Sequence, residues 1–145
     1  MSSSTRNESV SAMLVGEFGI DRLLLHDIFR SFSWRLLEVH KRREGLRYLG
    51  CSLVQVVVAE RDSPHWKWKT ILSDFRRFVR PPLLIVTSRL ADDALWSEAL
   101  NLGAHDVLAQ PFYRDEVERA IASACRHFKF QPEFARPKVH AANVA

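Results

Sequence analysis

The most informative part of this 145-residue chain is the stretch Gly103-Ala104-His105-Asp106-Val107-Leu108-Ala109-Gln110-Pro111-Phe112. Gly103 follows an amphipathic segment and suits the end of a helix, because glycine tolerates the left-handed backbone found there. Residues 107–109 are apolar and predict a short strand. The polar Gln110 then stands between that strand and Pro111. The stretch therefore predicts a helix, a turn and a strand that ends in a polar side chain.

Around this stretch, short apolar segments alternate with amphipathic segments of helical spacing. We predict strands at residues 12–15, 34–39, 53–59, 83–87 and 107–109. We predict helices at residues 21–32, 41–49, 68–79 and 114–128, and a fourth helix in chain order that starts at Asp92 or Asp93 and ends before Gly103. Five strand–helix units in this order imply a doubly wound α/β fold, with a parallel sheet, right-handed crossovers and helices on both faces. Ligand chemistry in such folds takes place at the carboxyl ends of the strands.

Several residues are expected to set helix ends or to fill the core. Asp21 is expected to cap the helix that it begins, and Gly50 is expected to mark the exit of the second helix. Pro81-Pro82 ends the third helix sharply. The two cysteines, Cys51 and Cys125, lie in or near apolar segments and are expected to be buried free thiols.

Composition restricts the class of protein. Hydrophobic residues make up 47% of the chain and charged residues 26%, which is typical of a soluble globular domain. No apolar run approaches the roughly 20 residues that span a bilayer, and the polar residues 1–9 lack a signal-peptide apolar region. We therefore expect a cytoplasmic protein with no membrane contact. It would comprise a disordered segment at 1–11, one domain at 12–128, and a tail at 129–145 from which Phe130 or Phe134 packs back.

The formal net charge is +4, and two stretches carry much of the positive charge. One runs from His40 to Arg47 and the other from Lys67 to Arg80. A solvated helix face accounts for most such runs. A basic patch for an acidic partner or nucleic acid is the alternative. The sequence has no Cys/His spacing typical of zinc, no Gly-rich phosphate loop and no triad spacing, so we do not expect an enzyme.

The order of five units, and above all the ending at residues 99–112 followed by a helix that opens Asp115-Glu116-Val117, resembles a known family. It is similar to the receiver domain of bacterial response regulators, over about residues 12–128. The resemblance implies a flavodoxin-like fold with strand order 2-1-3-4-5. It also implies a role in two-component, phosphorelay signal transduction.

The resemblance assigns site positions at the carboxyl edge of the sheet. Receivers carry an acidic pair that binds a divalent metal, and Gly16 and Glu17 occupy those positions here. The phosphoacceptor aspartate corresponds to Glu60, counted back from Pro64. The matches to the hydroxyl residue, the aromatic switch and the lysine that contacts the phosphoryl group are Thr87, Val107 and Gln110, respectively.

These substitutions predict the loss of ordinary phosphotransfer. Gly16 removes a metal ligand and Gln110 removes a cation, whereas phosphoryl transfer to a carboxylate needs both a metal and a cation to stabilise charge. We therefore expect weak or absent Mg²⁺ binding, no other cofactor and no catalytic residue. Glu60 has two interpretations that stay open. It is a tolerated residue at a solvent-facing strand end, or it imitates an aspartyl phosphate and accepts hydrogen bonds from Thr87 and Gln110. Asp62 is the alternative phosphoacceptor.

The resemblance places a contact surface on the fourth helix, the fifth strand and the fifth helix. Its candidate residues are Leu95, Trp96, His105, Val107, Arg114 and Glu118. Packing in the core is the alternative for Trp96. Trp68 is expected in the core, and Trp66 is expected to cover the degenerate pocket or to face a partner. The Gln110–Pro111 peptide bond is expected to be cis, as it typically is in receivers.

Three functional hypotheses follow from this resemblance and from the charge pattern. The first is an atypical receiver without an output domain that signals by protein–protein contact, independently of phosphorylation. Its partner would be a histidine kinase or a downstream effector, and it would be able to form a homodimer. The second is a single-domain receiver that is phosphorylated despite its altered site. The third and least expected is a basic nucleic-acid-binding module, in which aromatic side chains among lysines stack on bases.

Overall fold

The fold comes from a computed structural model that describes residues 10–131. Five parallel strands form one sheet in the order β2-β1-β3-β4-β5, as the sequence predicts. The strands are β1 (Ser11–Val15), β2 (Arg35–Val39), β3 (Val56–Glu60), β4 (Leu83–Ser88) and β5 (Asp106–Ala109). The helices are α1 (Asp21–Ser31), α2 (Arg42–Cys51), α3 (Trp68–Phe75), α4 (Asp93–Leu102) and α5 (Arg114–Lys129).

The ends of the domain differ slightly from the prediction. Val10 is buried in the core and Ser11 pairs in β1, whereas the sequence predicts both to lie in the N-terminal segment. Helix α5 continues to Lys129, and Phe130 is exposed rather than packed back. Phe134, the other residue expected to pack back, lies outside the described residues. Within residues 10–131, no helix has the length and apolar character needed to cross a membrane.

The central strands are apolar on both faces because each face of the sheet is covered by helices. On one face, α1 and α5 pack through residues such as Phe29 and Ile121. On the other face, α2, α3 and α4 pack through residues such as Trp68 and Leu95. Trp68 is 5% exposed and lies in this core, as predicted.

Two helix ends differ from the sequence prediction. Helix α3 ends at Phe75, because the next three amides bond to carbonyls three residues back, in tight turns that precede the proline pair. Val79, predicted to lie on the helix, is 58% exposed. Helix α2 continues through Gly50, the predicted exit, and stops where Ser52 becomes extended. Cys51 is consequently exposed, whereas Cys125 is buried as expected, and this burial raises the pKa of the Cys125 thiol to about 11.

Other helix ends follow the sequence more closely. Asp92 caps α4 by accepting a hydrogen bond from the Leu95 amide at 3.0 Å. Gly103 ends α4 with a φ of +109°, a left-handed conformation that favours glycine. Asp21 does begin α1, but its side chain makes no capping hydrogen bond. The prediction of an Asp21 cap is therefore wrong, because that carboxylate bonds to other parts of the chain.

Trp66 joins α2 to α3 and is 1% exposed, so it neither covers the pocket nor faces a partner. Its indole Nε1 donates a hydrogen bond to Asp74 at 2.9 Å. Asp74 also accepts two hydrogen bonds from the Arg42 guanidinium, at 2.8 and 2.9 Å. The Arg42 hydrogen bonds are the main reason that the pKa of Asp74 lies below its usual value. The ring of Trp66 lies against Gly45, at a place that a Cβ atom would occupy.

We expect Gly45→Ala to lower the free energy of unfolding by about 1–3 kcal/mol, because the added methyl overpacks against a Trp66 ring that its hydrogen bond holds in place. Gly50→Ala is the matched control in the same helix, because a Cβ there meets nothing within 4 Å. It should leave stability unchanged or raise it by up to about 1 kcal/mol. Urea unfolding of both variants measures the difference, and equal effects would contradict the packing described for Trp66.

Candidate functional site

The carboxyl ends of β1, β3, β4 and β5 form the edge where the sequence predicts a site. Glu60, Thr87 and Gln110 line one cavity of about 270 Å³ at this edge. Gly16 lies directly against Glu60. Val107 does not reach this cavity. Its side chain is buried among the residues beneath α2, α3 and α4. The Glu17 amide also lies 2.9 Å from Oε1 of Glu60, so the structure brings together five of the positions that the sequence predicts to meet here.

The carboxylate of Glu60 binds the backbone of the loop that follows β1. Its Oε1 accepts a hydrogen bond from the Glu17 amide at 2.9 Å, and its Oε2 accepts one from the Phe18 amide at 3.0 Å. Phe18 has a φ of +63°, and consecutive amides in such a turn form an anion-binding concavity. Hydrogen bonds to a charged acceptor are stronger than neutral ones. Thr87, which was expected as a donor to Glu60, donates to Gln110 instead.

Gly16 has a conformation and a position that only glycine fits. Its φ is +135°, which L side chains rarely adopt, and a Cβ would lie 2.5 Å from Oε1 of Glu60. An acidic side chain is therefore incompatible with this loop while Glu60 holds its present position. The presence of glycine instead of an acid at position 16 and the orientation of Glu60 therefore depend on each other.

Thr87, Gln110 and Asp21 form a buried chain of hydrogen bonds. The Thr87 hydroxyl donates to Oε1 of Gln110 at 3.0 Å, and Nε2 of Gln110 donates to Oδ2 of Asp21 at 3.1 Å. The Phe112 amide donates to the other Asp21 oxygen at 3.1 Å. The Gln110–Pro111 peptide bond is cis, as predicted. Gln110 thus uses both ends of its amide to connect β4 to α1.

Sequence reasoning missed the role of Asp21, because a first-turn aspartate is usually a capping residue. Its position at the start of the helix after β1 was the available signal. That position lies at the carboxyl edge of the sheet, where polar side chains converge. Asp21 is 5% exposed, and its two carboxyl oxygens accept hydrogen bonds from Gln110 and the Phe112 amide.

These residues do not fit a magnesium ion of the kind that receivers bind. Mg²⁺ needs oxygen ligands in near-octahedral geometry, but both oxygens of Glu60 accept amide hydrogen bonds and Gly16 offers no carboxylate. Among residues 10–131, no three His, Cys, Asp or Glu side chains converge in a way that could hold a metal. Asp62, the alternative acceptor, lines the cavity with a side chain that is 87% exposed.

A second concave surface lies between α4, β5 and α5. It is a groove of about 570 Å³, and its lining includes Trp96, Val107, Glu116, Arg119 and Arg126. Trp96 is 38% exposed, so this side chain lies at the surface rather than in the core. Glu116, Arg119 and Arg126 were missed, although their spacing of three and seven residues places them on one side of α5.

Three of the proposed surface residues lie elsewhere. Leu95 is 4% exposed and belongs to the core. Arg114 forms an ion pair with Asp27 of α1 and another with Glu118 at 3.3 Å, so Arg114 and Glu118 lie where α5 meets α1. Helical periodicity cannot separate Arg114 and Glu118 from the residues that line the groove. It does not reveal on which side of α5 the neighbouring helix α1 lies.

His105 directly precedes β5, and its side chain is half-buried. Its Nε2 lies 3.1 Å from the Ser123 hydroxyl, and its ring centroid lies 4.7 Å from that of His127. Burial, and secondarily His127, hold the pKa of His105 below its usual value. The neutral ring is therefore favoured at this position.

Comparisons with known proteins agree with this architecture. No family model and no curated protein matches the chain. Among solved structures, the signal receiver domain of an HD domain-containing protein from Pseudomonas fluorescens Pf-5 superimposes with a TM-score of 0.72, at 18% identity over 85% of this chain and 99% of that one. Full-length FixJ from B. japonicum matches with a TM-score of 0.71, at 22% identity over 84% of this chain and 61% of that one.

A third match is the receiver domain of the response regulator Ssk1 from Saccharomyces cerevisiae, crystallised with the histidine phosphotransfer signaling protein Ypd1. Its TM-score is 0.71, at 12% identity over 82% of this chain and 90% of that one. These structural neighbours are response-regulator receiver domains. The chain therefore has the flavodoxin-like fold of receiver domains.

The contact between Glu60 and Gly16 predicts a coupling between the two positions. Gly16→Ala should be destabilising because it introduces strain at positive φ and a clash with Glu60. Glu60→Ala removes the Oε1 and Cγ atoms that a Cβ at position 16 would meet at 2.5 and 2.9 Å, so in this background Gly16→Ala should cost less, with a coupling free energy of at least about 0.5 kcal/mol. Urea unfolding of the two single variants and the double variant measures the coupling. Additive effects would mean that Glu60 does not contact this loop in solution.

Proposed function

We propose that this protein is an atypical receiver that signals by protein–protein contact without being phosphorylated. The observation that carries the proposal is the orientation of the Glu60 carboxylate, which accepts hydrogen bonds from the Glu17 and Phe18 amides. These amides direct their positive ends to the place where a receiver would hold its metal. The carboxylate oxygens are therefore both poor nucleophiles and unavailable as metal ligands.

The buried hydrogen-bond chain supports a fixed signalling state. In receivers, the hydroxyl at the position of Thr87 contacts the phosphoryl group, but here it donates to Gln110. Gln110 carries no charge to stabilise a phosphoryl group, and its amide is already paired with Asp21. We infer that the protein holds one conformation of this edge and needs neither a phosphoryl group nor Mg²⁺ to keep it.

The groove between α4, β5 and α5 is the contact surface that we favour. Trp96 provides exposed apolar area, and Arg119 and Arg126 provide charge beside it. Aromatic and arginine side chains contribute disproportionately to binding at protein interfaces. The partner would be a histidine kinase, a downstream effector or a second copy of the chain. The Ssk1 receiver was crystallised with a histidine phosphotransfer protein, which supports a protein partner.

The nucleic-acid alternative loses one of its supports. The tryptophan that the sequence leaves available to stack on bases, Trp66, is 1% exposed. The basic stretches do come together, because Arg42 of α2 binds Asp74 of α3, but that pairing also neutralises one of their cations. We therefore keep protein contact as the proposal.

Incubation with acetyl phosphate and Mg²⁺, followed by intact-mass measurement, tests the absence of phosphorylation. We expect no gain of a phosphoryl group. Among the described residues, no single place combines a free carboxylate, a metal site and a cation. A stable gain of one phosphoryl group on Glu60 or Asp62 would overturn the proposal and favour the phosphorylatable receiver. The variant with Gly16→Asp, Glu60→Asp and Gln110→Lys is the matched control, since it reintroduces the residue types that phosphotransfer needs.

Sedimentation analysis tests the groove as a contact surface between two copies. We expect a concentration-dependent dimer that Trp96→Ala and Arg119→Glu each weaken by about tenfold or more, as for central interface residues. Arg30→Glu on α1 is the control, because Arg30 is an exposed arginine that does not line the groove. A dimer that both groove variants leave intact would contradict this use of the surface.

A further inference from the structure

Helix α5 leads the chain to a groove at the amino end of β4, which we call the β4 groove. It has a volume of about 520 Å³ and lies between α3 and the end of α4. Its lining includes Leu72, Leu83, Leu102 and Gln131. Gln131 is the last described residue, so the chain continues from the wall of this groove.

Apolar side chains make up most of the wall of the β4 groove. Leu72, Pro81 and Leu83 are partly exposed, and Leu102 is 51% exposed. Covering such side chains with another apolar group is favourable, because it removes apolar area from water. The groove therefore suits an apolar side chain as its occupant.

Two buried polar atoms lie where the chain continues past Gln131. Among residues 10–131, Nε of Arg80 and Oε1 of Gln131 are buried without a hydrogen-bond partner. Both side chains are held at the end of α5, because Nη2 of Arg80 donates to the Phe128 carbonyl at 2.8 Å and Nε2 of Gln131 donates to the Pro81 carbonyl at 3.4 Å. Buried polar atoms are rarely left unpaired. The two atoms therefore indicate that a carbonyl oxygen and an N–H group bind here.

The residues that follow Gln131 offer both of these groups and an apolar side chain. They are Pro132-Glu133-Phe134-Ala135-Arg136. Every residue has a backbone carbonyl, and all of these except the proline have a backbone N–H. Phe134 is three residues beyond Gln131, so their Cα atoms are at most roughly 11 Å apart. The Phe134 ring can therefore reach a groove that Gln131 itself lines.

The charges of the β4 groove also fit this segment. Two cationic side chains, Lys69 and Arg76, lie in the lining. The Lys69 ammonium already pairs with Glu98 at 2.6 Å. The exposed Arg76 has no ion pair within 4.0 Å in the described part of the chain. The acidic Glu133, next to Phe134, is complementary to it.

We propose that the β4 groove binds residues 132–136 of the same chain, with the Phe134 ring against Leu72 and Leu102 and the Glu133 carboxylate beside Arg76. The backbone of the segment supplies the acceptor for Arg80 and the donor for Gln131. A tether of a few residues gives an effective concentration on the order of millimolar, which favours the same chain over a second copy.

The inference goes beyond the proposed function, because it assigns an occupant to the end of the sheet opposite Glu60. Among the described residues, the β4 groove shares no lining residue with the groove between α4, β5 and α5. The binding of the segment is therefore separable from the contact surface proposed for a partner. It is tested without reference to phosphorylation.

Nuclear Overhauser effects in the full-length ¹³C,¹⁵N-labelled protein test the proposal. We expect effects between the Phe134 ring protons and the methyl groups of Leu72 and Leu102, unchanged on tenfold dilution. Leu102→Ser should weaken them and speed hydrogen exchange of the amides of residues 133–136 by about tenfold, because it removes apolar contact with the ring. Leu100→Ser is the matched control, since Leu100 is 42% exposed on the same helix and does not line the groove.

Three outcomes would overturn the proposal. The first is the absence of effects between Phe134 and the groove in a protein whose amide spectrum shows that it is folded. The second is effects that disappear on dilution, which would mean that a second copy supplies the segment. The third is equal exchange rates in Leu102→Ser and Leu100→Ser, which would mean that the groove does not protect residues 133–136.

Discussion

The carboxyl edge of this molecule depends on the hydrogen bonds between the Glu60 carboxylate and the amides of Glu17 and Phe18. Aspartate at the end of β3 would be one methylene shorter, whereas glutamate can reach the loop after β1. Two amides that would otherwise lack partners are satisfied, and the loop takes a conformation with positive φ at Gly16 and Phe18. A single added methylene thus reorganises the surroundings of the sheet edge.

A second polar arrangement holds the opposite side of that edge. Gln110 stands where receivers have a lysine, and its amide can donate and accept at once, which an ammonium cannot. It accepts from Thr87 and donates to Asp21, so a neutral side chain links the ends of β4 and β5 to α1. Both arrangements satisfy the polar side chains of this edge by hydrogen bonds within the protein.

Alternating apolar strands and amphipathic helices predicted a doubly wound fold, and the resemblance carried by the motif at residues 103–112 implied the strand order. The same resemblance assigned Glu60, Thr87 and Gln110 to one edge of the sheet. Neither the alternation nor the resemblance predicted the partners of these side chains, since hydrogen bonds such as that from Gln110 to Asp21 join residues far apart in the chain. Trp66 was misjudged for a similar reason. Its burial depends on the absence of a side chain at Gly45 in another helix, which no local pattern reveals.

The fit between Gly16 and Glu60 also restricts how this chain could change over evolutionary time. Introducing an acid at position 16 first would bring it against Glu60, at a backbone angle unfavourable for any side chain. Shortening Glu60 first would strand two amides without their acceptor. Either order passes through a less stable intermediate, so single substitutions lead away from a two-carboxylate site more easily than back to it. Once a lineage has acquired both residues, selection for stability alone therefore tends to keep them.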